Sequence, residues 1–325
     1  MAEVTVTPQT GKKVKKPRVK EKKPPFFKTL VKQRELVLIA LPFFVYVFIF
    51  CYYPLSGLVM AFQNFRPKPG LGLLDHEWVG LDQFKKLFTD DAFIRIFRNT
   101  VAMGGINLVL SFITAIAFAL LLNELRVSIF KRTVQTISYL PHFLSWIIVT
   151  GLVANVLAVE DGIINSFLDL IGLEKVHFLA EPNYFWWIVG FSHVWKGMGW
   201  NSIIYLAAMS AIDPGLYEAA EIDGANRFQR ALYITLPGIK ATTIVLLILN
   251  VGWILNAGFE VQFLLGNGIV SDVAETIDIF VIRRGLALNN FSLATAAGMF
   301  KGLVSVILIG ICNFIAGRLG EEQVV

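Results

Sequence analysis

The sequence predicts an all-α polytopic membrane protein with six transmembrane helices. Of its 325 residues, 55% are hydrophobic and only 16% are charged, and the mean hydropathy is +0.63. A soluble domain carries roughly 25% charged residues. The apolar residues fall in six runs, each long enough to cross a hydrocarbon core of about 30 Å, which takes about 20 helical residues. The polar segments between these runs are too short for a large soluble enzyme domain.

Each predicted span is bounded by polar segments. The six spans cover about 36–62, 98–122, 134–158, 185–211, 240–260 and 291–317. Together they form a transmembrane domain over 28–320, preceded by a basic tail, 1–27, which is rich in Lys and Pro and is expected to be disordered. The loop after the first span carries an amphipathic stretch, 84–97. This stretch is expected to be an interfacial helix, with docking to a partner protein as the alternative.

The distribution of Lys and Arg indicates the orientation. Eleven of the 29 Lys and Arg residues precede the first span. Because cytoplasmic segments are enriched in these residues, the tail is predicted to be cytoplasmic. With six spans, the C-terminus then lies on the same side. The assignment rests on the Lys and Arg residues of the tail, because those of the loops alone do not settle the orientation. The same tail can contact anionic lipid, and no nucleic-acid partner is expected.

A polar, charge-rich loop, 213–237, separates spans four and five on the predicted cytoplasmic side. Asp213 is a good N-cap, and Gly224 suits the left-handed C-cap of a helix over 216–222. A second helix is expected over 226–234, ending before a proline that disfavours helix at the preceding residue. The loop is therefore predicted to hold two short helices that present acidic and small residues.

The same loop carries a spaced pattern: Glu-Ala-Ala, three residues, Gly, nine residues, Ile-x-Leu-Pro. This pattern resembles the signature loop of permease subunits of binding-protein-dependent ABC importers. The matching positions are Glu218, Ala219, Ala220, Gly224, Ile234, Leu236 and Pro237. Segments 139–143, 256–260 and 282–286 and the last span resemble sugar-importer permeases of the LplB type. The resemblance covers about residues 30–320.

This resemblance implies a type I ABC importer permease fold with a cytoplasmic coupling helix, in the bacterial cytoplasmic membrane. It implies a heterodimer with a second permease, two ATPase subunits and an extracytoplasmic solute-binding protein. Within the group, the chain is similar to permeases for complex oligosaccharides, including acidic ones such as alginate. The residues implied to contact the ATPase are Glu218, Ala219, Ala220, Glu221, Asp223, Gly224 and Arg227.

Motifs for chemistry are missing from the sequence. It holds no Gly-x4-Gly-Lys-Ser/Thr loop that could cradle nucleotide phosphates, so this chain is not expected to be an enzyme. ATP and Mg are expected to bind to the partner ATPase subunits, and no cofactor to this chain. The four histidines are scattered, and no metal site is expected.

Polar residues inside the predicted spans are candidates for the transport path. Such residues are costly in a bilayer and tend to face a cavity or a partner helix. The candidates are Lys196, Asn201, Asn250, Trp253, Asn256, Glu260 and Lys301. Aromatic rings pack on the C–H face of a sugar, while amides bind its hydroxyls. The two lysines are hypothesised to favour an acidic sugar.

Two alternatives stay open at this point. Asn and Trp residues in spans also bridge neighbouring helices, and Lys301 could pair with an acidic group on the partner permease. The chain could also be an ion-coupled secondary transporter, which needs internal acidic residues for coupling. Glu260, near the end of a span, is the one candidate for that role.

Overall fold

The computed structural model describes residues 32–318, which are almost entirely helical. The predicted basic tail, 1–27, lies outside the described residues. The chain divides into two units, Met1–Ser56 and Gly57–Val325. The second unit contains the helices and loops that carry the candidate site.

The helices of the described range vary from single turns to nine or more turns. In chain order they are α1 Arg34–Phe62, α2 Asp82–Thr89, α3 Asp91–Glu124, α4 Ser128–Phe143, α5 Trp146–Val156, α6 Ile163–Leu170, α7 Pro182–Ser210, α8 Pro214–Ile222, α9 Arg227–Gly238, α10 Lys240–Gly252, α11 Phe259–Leu265, α12 Ser271–Ala274, α13 Ile277–Ile282 and α14 Phe291–Arg318. A π-helical turn, Arg283–Ala287, extends α13.

Helix α1 is apolar around its whole circumference. It has 29 residues, and its most apolar stretch has no residue buried in the protein. A helix that is apolar on every side is suited to lipid or to the core of an assembly. Pro42 lies inside it, a position that membrane helices tolerate when neighbouring groups satisfy the freed carbonyl.

Helices α3 and α7 pack side by side in the same direction. Met103 of α3 shares a buried cluster with Phe185 of α7, and Ala119 shares a second one with Tyr205. The residue numbers rise together along the two helices, so the helices are parallel. The chain must therefore cross back between them, which is the role of α4 and α5.

The amphipathic stretch after the first span is divided between two helices. It is divided at Asp90, whose side chain accepts a hydrogen bond from Ala92 N at 2.9 Å and caps α3. Leu87 and Phe93 are each 1% exposed and join a core cluster with Ala297 of α14. The apolar face of this stretch is therefore partly covered by protein.

The third predicted span, 134–158, is broken where a continuous helix was expected. Helices α4 and α5 meet at an angle of 104°. Leu144 is extended, and Ser145 accepts a hydrogen bond from Ile148 N at 3.4 Å, which starts a new helix. Pro141, one turn earlier, cannot donate a backbone hydrogen bond. The polar groups at the break therefore need partners from other helices.

The fifth predicted span, 240–260, is also interrupted. Helix α10 ends at Gly252, and a short 3-10 turn leads to Ala257 and Gly258, whose φ angles are +44° and +81°. A positive φ is rare for a residue with a β-carbon. The two left-handed residues separate this turn from α11, which begins at Phe259.

The segment after α11 returns into the helical bundle, although 261–290 was expected to be an outer loop. One polar face of α3 binds its backbone. Asn99 donates to Asp272 O at 2.8 Å and to Glu275 O at 3.1 Å. Thr100 accepts from Ile277 N at 3.0 Å. Irregular backbone at membrane depth requires such partners.

The break in the fifth span is held by the same face of α3. Asn107 donates to Ala257 O at 3.1 Å, and Gln262 of α11 donates to the same carbonyl oxygen. Gly104 lies so close to the break that an added β-carbon would be 2.0 Å from Ile254 O. A side chain of any size at this position would push α3 away from the break.

The number of spans stays a prediction. By length and composition, three helices of the described range can cross a membrane, and counting each bent pair as one span raises this to five. Helix α7 has 29 residues, enough for about 44 Å of helix. Polar residues such as His193 and Lys196 make it less apolar than the others. Counting α7 as well would give the six spans that the sequence predicts.

We predict that Gly104→Ala lowers the midpoint of thermal unfolding in detergent. Its β-carbon would collide with Ile254 O, and overpacking at a tight contact costs about 1–3 kcal/mol. Gly105→Ala is the matched control, because no atom lies within 4 Å of a β-carbon added at Gly105. Helix propensity favours alanine there by up to about 1 kcal/mol. Equal melting of the two variants would contradict the close contact.

Candidate functional site

The polar loop between α7 and α10 begins with a well-capped helix. Asp213 accepts a hydrogen bond from Gly215 N at 2.9 Å, and Pro214 occupies the first turn of α8. After Ile222 the chain reaches Gly224, whose φ is +79°. Glycine adopts this conformation without steric cost. The local sequence therefore sets both ends of α8.

The second helix of the loop is longer than expected. It was predicted to end before Pro237, but α9 continues to Gly238. The turn Ala231–Thr235 is π-helical, and Pro237 then sits in the first turn of a new helical segment, where its missing N–H costs little. Asn226 and Gln229 form a reciprocal capping box at the start of α9.

Two side-chain contacts hold α8 and α9 together. Arg230 donates to Glu221 at 3.2 Å, and the Tyr217 hydroxyl lies 2.9 Å from the Thr235 hydroxyl, which is part of a residue that is only 2% exposed. The second contact joins α8 to the π-helical turn that leads into the fifth span. Helix α8 is therefore bonded to the segment at the start of that span.

The exposed surface of the loop combines acidic, small and apolar groups. Glu218, Ala219 and Asp223 are exposed, as the sequence pattern suggested. The sequence analysis missed Ile222 and Phe228, which are 88% and 76% exposed. Apolar side chains so exposed at the tip of a polar loop mark an interaction surface.

The loop lies at the C-terminal end of α3. Arg227 pairs with Glu124, the last residue of α3, at 3.9 Å. Helix α3 has 34 residues, so it is about 51 Å long and exceeds a hydrocarbon core of about 30 Å. Helix α2 and the loop before it lie at the opposite end, since they directly precede Asp91. The two ends of α3 thus mark opposite faces of the protein.

The predicted transport-path residues fall into separate places. Asn201 and Asn250 line one cavity of about 140 Å³ between α3, α7 and α10. Trp253, Asn256 and Lys301 line another of about 540 Å³ between α10, the following turn and α14. Asn250 lies apart from Trp253 and Asn256 because α10 ends at Gly252.

Lys301 has a partner within its own chain. Its ammonium group lies 2.6 and 2.8 Å from the two carboxylate oxygens of Asp278, and the side chains are 16% and 27% exposed. Sequence reasoning missed Asp278, because it placed the residue in an outer loop. Removing one partner of a buried ion pair leaves an uncompensated charge, so the pair acts as a unit.

Lys196 is used at the break of the third span. It donates to His142 O at 2.5 Å and lies 5.4 Å from the centre of the Trp146 ring. A cation at the C-terminal end of a helix is favourable, and the aromatic face adds a cation–π contact. Trp200 stacks on His142 at 4.3 Å. Lys196 therefore stabilises the bend between α4 and α5.

Glu260 lies in the first turn of α11 and is exposed. It lines neither of the two cavities that hold the other candidates. The seven predicted residues therefore do not form a single site. Three line the cavity of about 540 Å³, two line the cavity of about 140 Å³, one lies at a helix break and one is exposed.

The sequence matches the family model of the binding-protein-dependent transport system inner membrane component over residues 107–321. Two relatives come from Bacillus subtilis strain 168. The polygalacturonan/rhamnogalacturonan transport system permease protein YteP is 43% identical, over 94% of this chain and 94% of its own. Protein LplB is 39% identical, over 90% of this chain and 92% of its own.

A solved structure resembles the whole fold. The match is to the crystal structure of a bacterial alginate ABC transporter in complex with an alginate pentasaccharide-bound periplasmic protein. The TM-score is 0.85 with 37% identity, over 92% of this chain and 99% of that chain. The fold is thus that of type I importer permeases, and an ion-coupled secondary transporter is set aside. The chain belongs to the family of binding-protein-dependent transport system inner membrane components.

Proposed function

We propose that this chain is the permease subunit of an ATP-driven importer for oligosaccharides of acidic polysaccharides. The observation that carries the proposal is the exposed coupling loop, which lies at one end of α3 in a chain that lacks a phosphate-binding loop of its own. A chain without a phosphate-binding loop does not bind the nucleotide itself. The energy for transport therefore comes from a separate ATPase subunit, which docks on the coupling loop.

The substrate class is supported by the relatives and by Lys301. Polygalacturonan, rhamnogalacturonan and alginate, named in the related proteins, are all rich in uronic acids. An ammonium group has three donors, and Asp278 occupies two of those of Lys301. The third donor is available to a sugar carboxylate in the adjoining cavity. Trp253 and Asn256 supply an aromatic face and an amide there.

The proposed assembly has a second homologous permease, two ATPase subunits that bind ATP and Mg, and an extracytoplasmic solute-binding protein. Both termini are cytoplasmic. ATP binding draws the coupling loops of the two permeases together, and the helical bundles rotate so that the cavity opens outward. Sugar enters from the binding protein, and hydrolysis restores the inward-facing state.

We predict that Gly224→Asp and Glu218→Lys abolish co-purification of the ATPase without unfolding the permease. At Gly224, φ is +79°, a left-handed conformation that costs a residue with a β-carbon about 1–2 kcal/mol. At Glu218 the charge is reversed on the exposed face of α8. Pull-down of the ATPase and thermal unfolding of the permease are measured in parallel.

Gly172→Asp is the matched control for Gly224→Asp. Gly172 has the same φ of +79°, and no atom lies within 4 Å of an added β-carbon at either position. The backbone penalty is therefore equal, but Gly172 lies outside the coupling loop. Normal ATPase recovery with both loop variants, or equal loss with the control, counts against this docking surface.

We also predict that Lys301 is needed for acidic rather than neutral substrates. Lys301→Met alone leaves the part-buried carboxylate of Asp278 unpaired, which destabilises the protein, so uptake of every substrate falls. The double variant Lys301→Met with Asp278→Asn removes that charge. We expect it to recover uptake of neutral oligosaccharides and not of acidic ones, measured in proteoliposomes with the complete transporter.

The two substrates are compared at equal chain length and at limiting concentration. If the double variant transports acidic and neutral oligosaccharides with the same fractional loss, or loses neither, Lys301 has no part in charge selection.

A further inference from the structure

A third cavity, at the N-terminal end of α3, is lined by none of the predicted transport-path residues. It has a volume of about 750 Å³ and is formed by the segment 64–67, by α2, and by the turn 288–293 that enters α14. Sites for small molecules have volumes of about 300–1,000 Å³. We call this cavity the outer cleft.

The walls of the outer cleft are fixed by contacts between distant parts of the chain. Phe65 N donates to the Ser292 hydroxyl at 2.8 Å, and the Phe65 ring meets Phe291 edge-on at 6.0 Å. Gln83 of α2 donates to Gln63 O at 3.3 Å. These contacts hold the first loop against the start of α14, and the outer cleft lies between them.

The turn before α14 holds an unusual backbone conformation. Asn289 has a φ of +52°, a region that asparagine tolerates better than most residues with a β-carbon. The next residue, Asn290, donates its N–H to Arg284 O at 2.8 Å and accepts from Leu293 N at 3.2 Å. Backbone outliers of this kind cluster at ligand sites, and this one places an amide at the edge of the cleft.

The cleft contains a cation without a carboxylate partner. Within residues 32–318, Arg66 makes no ion pair or side-chain hydrogen bond, and neither the Asn64 nor the Asn289 amide makes a side-chain bond. Lys86, at the same cleft, pairs with Asp82 at 2.8 Å. The lysines of the transport path differ from Arg66, because Asp278 and the carbonyl of His142 already engage them.

We propose that the outer cleft is a binding subsite for a carboxylated sugar unit, in which Arg66 pairs with the carboxylate and the amides of Asn64 and Asn289 bind hydroxyls. Guanidinium presents a planar set of donors that matches a carboxylate, and amides both donate to and accept from hydroxyls. This proposal rests on the proposed function, which makes this end of α3 the outer face and the substrate acidic.

The shape of the site favours a sugar over an acidic surface of the binding protein. A stable protein contact buries about 800 Å² on each partner, whereas these residues line a concavity of about 750 Å³. Amide groups beside a guanidinium fit a unit that carries hydroxyls as well as a carboxylate. Contact with the binding protein itself is the competing outcome of the test.

The test compares Arg66→Gln with Lys68→Gln in the complete transporter, reconstituted in nanodiscs. Lys68 is exposed in the same loop but does not line the cleft, so the two variants lose the same charge. Equilibrium binding of trigalacturonate and trimannuronate is measured beside that of neutral maltotriose. We expect Arg66→Gln alone to weaken binding of an acidic trimer by up to about fivefold, the upper end of the range of an exposed ion pair. Maltotriose binding stays unchanged, and 0.5 M salt removes the difference.

Three results overturn the subsite: equal binding of the acidic trimers to both variants, equal weakening by both, or weaker association of the sugar-free binding protein with Arg66→Gln. The last result would assign Arg66 to a protein contact. Uptake of the acidic trimers by the unaltered transporter tests the proposed function separately. If the unaltered transporter takes up the acidic trimers and the Arg66→Gln variant takes them up equally well at limiting substrate, the subsite proposal is wrong and the proposed function stands.

Discussion

The fold depends on the contact between one face of α3 and the interrupted chain that follows α10. Backbone groups that are not in a helix cannot be left without partners at membrane depth. Asn99, Thr100 and Asn107 supply those partners, and Gly104 allows the approach. The large cavity and the Asp278–Lys301 pair exist because the chain can return into the bundle along this face.

Hydrophobic runs and caps could be read directly from the sequence. The long apolar helices and the ends of α8 lie where the pattern indicates. The length of an apolar run and the capping residues Asp213 and Gly224 are properties of the local sequence. The breaks could not be predicted in the same way. The run 240–260 is long enough for one continuous span, and its interruption at Ala257 depends on a bond from Asn107, which is distant in sequence, as well as on one from the nearby Gln262.

The residues of the candidate site could likewise be predicted only in part from the sequence. The spacing of the coupling-loop motif located its acidic and small residues, but not the exposed Ile222 and Phe228, since burial follows from tertiary contacts. Lys196 and Lys301 were identified as unusual cations within spans. Their partners, the carbonyl of His142 and the carboxylate of Asp278, come from segments whose position only the three-dimensional arrangement defines.

The length of α3 has a mechanical consequence. Gly104, where α3 touches the break in the fifth span, divides the helix unequally. About 20 Å of helix lies on the side of Asp91 and about 30 Å on the side of Glu124, at 1.5 Å per residue. If α3 tilts as a rigid rod about this point, the end that meets Arg227 moves about one and a half times as far as the other. The helix is thus a lever with its longer arm at the coupling loop.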